Sequence, residues 1–489
     1  MAIPRSASVS SNIPHAQTGI SQITKTCLPS VASVFTTHKP SITLDLSLST
    51  NASKLQASLT KDCILSEERS HIKHAQNLVD VRHILKKVGG DPSEGLVLVD
   101  AIQRLGIDYC FREEIEAFLK RQFLDVTNTA ILKQHDLSTV SLCFRLLRQE
   151  GYHVSADVFG NFKDKEGNFD AKLGEDTRGL MELYEASQLS IEGEDILEEA
   201  ANFSSQLLTL RMEHLDHHQA RIVKKTLEHP YRKSLARSTI KNFTIDFDDI
   251  NGYKSTLQEL ASMEIDVVQT VHQQELLQVS SWWKDLGLAK ELKLARDQPQ
   301  KWHMWPMAAL TDPSLSEQRI DLTKSISLIY LIDDKFDVYG TLDELTLFTE
   351  AINRWDIAAI EELPHYMKIC FKALYDITNE IGYKVYAKHG YNPAESLQKT
   401  WASLCNAFLV EARWFGSEHI PKAEEYLNNG IWREALLLSL KINRQDEEQD
   451  GHDGLYIICY MEEHEGSSIE SGRQHITEMI SETWKRLNK

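Results

Sequence analysis

Apolar residues recur at spacings of three and four along most of the chain from about residue 60 onward, which is the period of an amphipathic helix. In STVSLCFRLLRQEGY the stripe is Val140, Cys143, Phe144 and Leu147, and Gly151 closes it. HILKKVGG ends at a glycine pair. Asp91 and Pro92 then restart the chain as the cap and first-turn residues of another helix. GLMELYEASQL and DILEEAANFSSQLL continue the theme. No series of alternating short strands and no repeat of fixed period is visible, so the pattern predicts an all-α protein. A polar stretch, NFTIDFDDINGYKST, breaks the pattern before a long helix predicted from about Thr256. All nine tryptophans lie between Trp282 and Trp484. This break and this shift predict two helical domains, about 60–250 and 251–489.

Within the second half, LTKSISLIYLIDDKFD reads as a helix with Ile326, Ile329, Tyr330 and Asp333 on one stripe. Asp337 follows Asp333 by one turn, on the same face, with Asp334 beside them. The helix stops at Gly340, and TLDE opens the next one as a capping box of Thr341 and Glu344. Leu345, Phe348, Ile352 and Trp355 form that next helix's core stripe. Carboxylates on the last turn of a buried helix oppose its dipole, and a local cation resolves the conflict. Mg2+ suits such oxygen donors, because it takes one or two carboxylates and keeps sites for water and substrate phosphate. The competing reading is a solvated acidic face. A buried strand ending in a catalytic Asp calls for carboxylates at i and i+2, and these stand at i, i+1 and i+4.

Arg296, upstream in ARDQPQKWHMWPM, is either a surface ion-pair partner or a planar fork for an anionic diphosphate. Trp302 and Trp305 are either plain core or the aromatic wall of a pocket that stabilises a cation. DFDD at 246–249 lies in the polar linker and reads as chance. His214, His217 and His218 read as a solvated helix face, since no fourth ligand is placed for zinc. No Walker loop, dinucleotide fingerprint or Ser-His-Asp signature occurs.

Composition narrows the partners. The formal net charge is -19, which argues against nucleic acid. No apolar run is long enough to span a membrane. Seven scattered cysteines without a CxxC pair read as free thiols in a reducing compartment. Residues 1–44 hold no Asp or Glu, are rich in Ser and Thr, and carry Arg5, Lys25 and Lys39. That composition resembles an organelle transit peptide and points to a plastid, with a disordered leader and a cytosolic protein as the alternative.

LIDDKFDVYGTLDELTLFTEAINRWD resembles the plant class I terpene synthases, with Asp333, Asp334 and Asp337 as their DDxxD motif. LGEDTRGLMELYEASQLSIEGEDILEEAANF is similar to the family's N-terminal helical domain. HQQELLQVSSWWKDLGL, ARDQPQKWHMWPMA and WASLCNAFLVEARWF are similar to successive C-terminal helices. The resemblance takes in about 60–430 and about 446–489. Within the family the likeness runs to the enzymes that make the acyclic alcohols linalool and nerolidol. Those share RDQ where cyclising relatives have RxR, and here Gln298 replaces the second Arg. Like them, this chain lacks a tandem-Arg-plus-Trp motif after the leader. The resemblance implies an N-terminal α-barrel-like domain, a C-terminal class I helical bundle and a monomer. It implies Mg2+, or Mn2+ in its place, held by Asp333, Asp334 and Asp337. It implies a geranyl or farnesyl diphosphate whose leaving group Arg296 helps to hold, and a carbocation faced by Trp305.

The chain departs from the family pattern in one region. A second metal motif, (N/D)DxxSxxxE, should follow EEYLNNG, and the chain reads IWREALLLSLKINRQDEEQDGHDG instead, several helical turns shorter than expected. Glu447 aligns with that motif's last residue, which puts Ser439 and Asn443 at the other two positions with the residue types exchanged. The match reads as accidental. Family members also continue beyond ISETWKRLNK with further helices and a loop that caps the site. The expectation is therefore a terpene synthase with a shortened catalytic domain, or a relative that has lost activity. A chain-elongating prenyltransferase would need a second DDxxD, and none is present.

Overall fold

The structure, a computed structural model, describes residues 69–87, 92–127, 135–235, 240, 252–288, 297–417, 419–437, 455–464 and 466–489. The chain divides into two compact units, Met1–Arg69 and Ser70–Lys489, and nearly all described residues belong to the second. They are helical, with one isolated antiparallel bridge between Lys163 and Phe169. None of these helices is long and apolar enough to cross a membrane.

The first helices are α1 (69–87), α2 (Pro92–Arg104), α3 (Arg112–Thr127), α4 (Leu137–Gln149), α5 (Thr177–Ser187), α6 (Asp195–Arg211) and α7 (His217–Glu228). The stripe read from the sequence of α4 is buried as expected, and Gly151 leaves the helix at φ 81°. Burial goes further than the stripe, because Leu142, Arg145 and Leu146 are enclosed as well. Arg145 is made tolerable there by Asp100, whose carboxylate accepts from its Nη2 at 2.6 Å and from Arg104 Nε at 2.9 Å. Glu182 and Glu185 complete this ionic cluster, 3.6 Å from Arg145 and Arg104 respectively. Asp216 caps α7 through the N–H groups of His218 and Gln219. His214 therefore precedes the helix and does not share a face of it with His217 and His218.

A long helix, α8 (Lys254–Leu286), follows. Its first turns supply Leu257, Leu260 and Ala261 to the core of α1–α6, while Trp283 near its end belongs to a second core. That second core is built by α9 (Pro299–Ala309), α10 (Ser316–Asp334), α11 (Leu342–Arg354), α12 (His365–His389) and α13 (Ala394–Gly416). Phe348, Phe371 and Phe408 are fully enclosed in it, each contributing roughly 2–3 kcal/mol of burial. The capping box is present as read: Thr341 accepts from the Glu344 N–H and Glu344 accepts from the Thr341 N–H.

Helices α14 (Ala423–Leu437), α15 (Leu455–Glu463) and α16 (Ile469–Leu487) complete the described elements. The stripe Ile476, Met479 and Ile480 is half-buried, whereas Thr483 and Leu487 are exposed. The end of α16 docks on the first helical group. Asn488 donates to the carbonyls of Gln188 and Ser190 and accepts from Arg232, while Lys485 pairs with Glu198.

Candidate active site

The centre of the site is the C-terminal half of α10. Its apolar residues Ile326, Leu328, Ile329, Leu331 and Ile332 are buried on every side of the helix. The hydroxyls among them are satisfied within the helix, since Thr323 donates to the Arg319 carbonyl and Ser327 to that of Thr323. The apolar run forces the next two residues inward: Asp333 is 9% exposed and Asp334 is 7% exposed. Two adjacent carboxylates thus sit at the carbonyl end of a 19-residue helix, the end that disfavours anions.

Asp337 does not share their burial. Lys335–Tyr339 form a π-turn, closed by the Gly340 N–H donating to the Lys335 carbonyl at 2.9 Å. Asp337, inside this turn, is exposed. The turn is tight at its exit: a Cβ on Gly340 would lie 2.5 Å from Leu345 Cδ2 and 3.2 Å from the Lys335 carbonyl. Among the described residues no group of three or more His, Cys, Asp or Glu side chains is placed to share one metal ion. The site offers the Asp333–Asp334 pair, and two carboxylates are the donor set Mg2+ takes when water and phosphate oxygens fill its remaining positions.

Lys335 went unnoticed in the sequence, where a lysine among aspartates reads as solvated. It is 1% exposed. Its ammonium donates to the Tyr366 carbonyl at 3.2 Å and lies 5.5 Å from the ring centre of Phe348 and 5.1 Å from that of Tyr366. Burial pushes it below the ordinary lysine range, against the pull of the Cys370 and Cys405 thiols. Burial pushes the Cys405 thiol up to about 12. Tyr366 in turn donates to Glu344 of the capping box, so the π-turn is tied to both α11 and α12.

An aromatic group lies beside α10. Trp302 stacks flat on Tyr330, with ring centres 5.6 Å apart and planes at 13°, and meets Trp283 edge-on at 5.2 Å. Trp305 is buried in the same core. Arg296 and Glu447 lie outside the described residues, as do Ser439, Asn443 and the DFDD stretch. Gln298 caps α9 through its backbone carbonyl, which accepts from Lys301 and Trp302. Cys110, Cys143, Cys370, Cys405 and Cys459 are free thiols.

Two family models match this chain: the terpene synthase N-terminal domain over residues 49–229, and the terpene synthase metal-binding domain over residues 284–440. The chain belongs to the terpene synthase family. A probable terpene synthase of Ricinus communis is 52% identical over 477 residues, spanning 89% of this chain and 83% of the relative. Those 477 positions exceed what 89% of this chain supplies, so the alignment carries gaps on this side. An (E)-nerolidol synthase of Cannabis sativa is 47% identical over 462 residues, 85% of this chain and 83% of the relative. Other terpene synthase relatives carry "chloroplastic" in their names. The isoprene synthase of grey poplar (Populus x canescens), solved with three Mg2+ ions and dimethylallyl-S-thiolodiphosphate, superposes with a TM-score of 0.75 at 34% identity. It covers 86% of this chain and 87% of that one. The terpene synthase fold thus accounts for the all-α architecture.

Proposed function

We propose that this chain is a Mg2+-dependent terpene synthase that ionises geranyl or farnesyl diphosphate and releases an acyclic alcohol such as linalool or nerolidol. The observation that carries the reading is the buried Asp333–Asp334 pair at the end of α10, beside the Trp302–Tyr330 stack. Mg2+ bound there would supply stabilisation of the charge that develops on the leaving group. Asp333 and Asp334 would hold that cation by their oxygens, with Asp337, exposed in the turn that follows, as the third candidate donor. Arg296 is the candidate partner of the departing diphosphate. Trp305 and its neighbours exclude water and present ring faces to a carbocation. The resemblance in RDQ and the nerolidol synthase relative support the acyclic product. The relatives named chloroplastic and the acid-free residues 1–44 support a plastid address. The domains proposed are an N-terminal helical one over 60–250 and a metal-binding one over 251–489.

A second reading is a family member without activity, favoured by the alignment gaps on this side and by the altered sequence after Gly430. Incubation with each diphosphate and Mg2+ separates the two. The first reading expects terpene product from the wild type and at least a hundredfold less from Asp333→Ala, the scale on which lost charge stabilisation acts. No product from the wild type above the level of the Asp333→Ala control, itself at the protein-free background, would leave the second reading standing.

A further inference from the structure

The indole N–H of Trp283 donates to Asp297 Oδ1 at 2.6 Å. Trp283 is buried, and a buried indole N–H needs an acceptor. Asp297 is exposed, so water could have hydrated its carboxylate instead. The bond therefore serves Trp283 and what Trp283 touches. Its ring meets Trp302 at 5.2 Å and 76°, and Trp302 lies on Tyr330 at 5.6 Å and 13°. Tyr330 precedes Asp333 by one turn of α10. A continuous ladder of rings thus runs from position 297 to the turn before the carboxylate pair. Asp297 is also the residue from which the chain enters α9, whose cap is Gln298. It stands between the two positions, 296 and 298, in which the RDQ triplet was read for chemistry, and no role had been found for it.

We infer that Asp297 is a positioning residue. Its bond to Trp283 sets where α9 begins, and so places Trp302 on Tyr330, one turn before Asp333 and Asp334. A short carboxylate does this well, because a charged acceptor makes the stronger bond and the side chain has little freedom to lose. The inference rests on the proposed reading of the Asp333–Asp334 site.

The test uses the full-length protein and three variants. Asp297→Ala removes the acceptor, Trp283→Phe keeps a ring and removes the donor, and Asp297→Asn keeps an oxygen at the same place. Two quantities are measured: hydrogen exchange of the backbone amides in 299–309, and calorimetric binding of inorganic pyrophosphate with Mg2+. Asp297→Ala and Trp283→Phe should each speed exchange in 299–309 and weaken pyrophosphate binding about tenfold, the scale of one hydrogen bond to a charged group. The double variant should be no worse than either single one, and Asp297→Asn should stay within about threefold of wild type. Unchanged exchange in both single variants would overturn the anchoring role whatever the chain binds. Faster exchange with unaltered pyrophosphate affinity would show an anchor that positions nothing for the site. A wild type that binds no pyrophosphate would overturn the reading of the site itself, and the role of Asp297 there with it.

Discussion

Glu275 of α8 and Arg319 of α10 meet at 2.6 Å with neither side chain exposed. Arg319 also donates to the carbonyls of Leu310 and Pro313, and Glu275 bonds His303 of α9 at 3.0 Å. Removing one member of such a pair leaves a buried charge alone. Arg319→Met should therefore cost about 3–5 kcal/mol in urea unfolding. The double variant Glu275→Leu/Arg319→Met should recover only part of that, because the loop carbonyls lose their donor as well. Full recovery would mean that those carbonyls find water.

Gly340 has φ -80°, so backbone freedom is not why glycine stands there. Space is the reason: an added Cβ meets the buried Leu345 side chain at 2.5 Å. Gly340→Ala should lower stability by about 1–3 kcal/mol, the range of overpacked cores. It should also displace the π-turn that follows Asp334. A thermal melt matching wild type would show that Leu345 moves aside freely.

Lys335→Met tests which of two opposed effects is larger. The buried ammonium gains a hydrogen bond to the Tyr366 carbonyl of about 1.5–3 kcal/mol, a weaker one to the Cys370 thiol, and cation–π contacts of about 0.5–2 kcal/mol. Its desolvation costs several kcal/mol. The variant should match or exceed the wild-type urea midpoint. A loss above about 2 kcal/mol would mean the contacts outweigh the desolvation.

The ionic cluster around Arg145 predicts a pH dependence. Burial, opposed by Arg145 and reinforced by the carboxylate of Asp100, pushes Glu182 above the ordinary glutamate range. A carboxyl raised on folding contributes stability that is full below its unfolded value and lost as pH rises through its folded one. Asp100 is lowered instead, because Arg104 and Arg145 outweigh its burial, and its contribution is lost as pH falls. Glu182→Gln stays neutral throughout. Its urea midpoint should therefore drop less than the wild type's between about pH 5 and about pH 8. Equal slopes for the two proteins would rule out Glu182 as the titrating group.

Legibility followed the range of the interactions. The Thr341–Glu344 box and the stripes Val140–Phe144–Leu147 and Leu345–Phe348–Ile352 depend on residues three or four apart, and all were readable. Trp355 was read into the second stripe, but it ends α11 in the left-handed region at φ 49° and is only half-buried. The exposure of Asp337 was not readable. Asp337 sits in a π-turn that ends at Gly340, close against Leu345, and a constant period of 3.6 does not foresee such a turn. Lys335 was hidden for a related reason. Its partners, Tyr366 and Phe348, arrive from later helices. The apolar run that leads into Asp333 and Asp334 made that buried pair legible, whereas the role inferred for Asp297 needed the distance to Trp283.

Asn488 closes on carbonyls as far as 300 residues back, at Gln188. At ordinary rates of synthesis those carbonyls leave the ribosome roughly 15–60 s before their partner exists. The α5 end is thus made well before the side chain that covers its carbonyls. Docking of α16 is therefore a long-range step of folding, and chaperones have that window in which to act on the nascent chain.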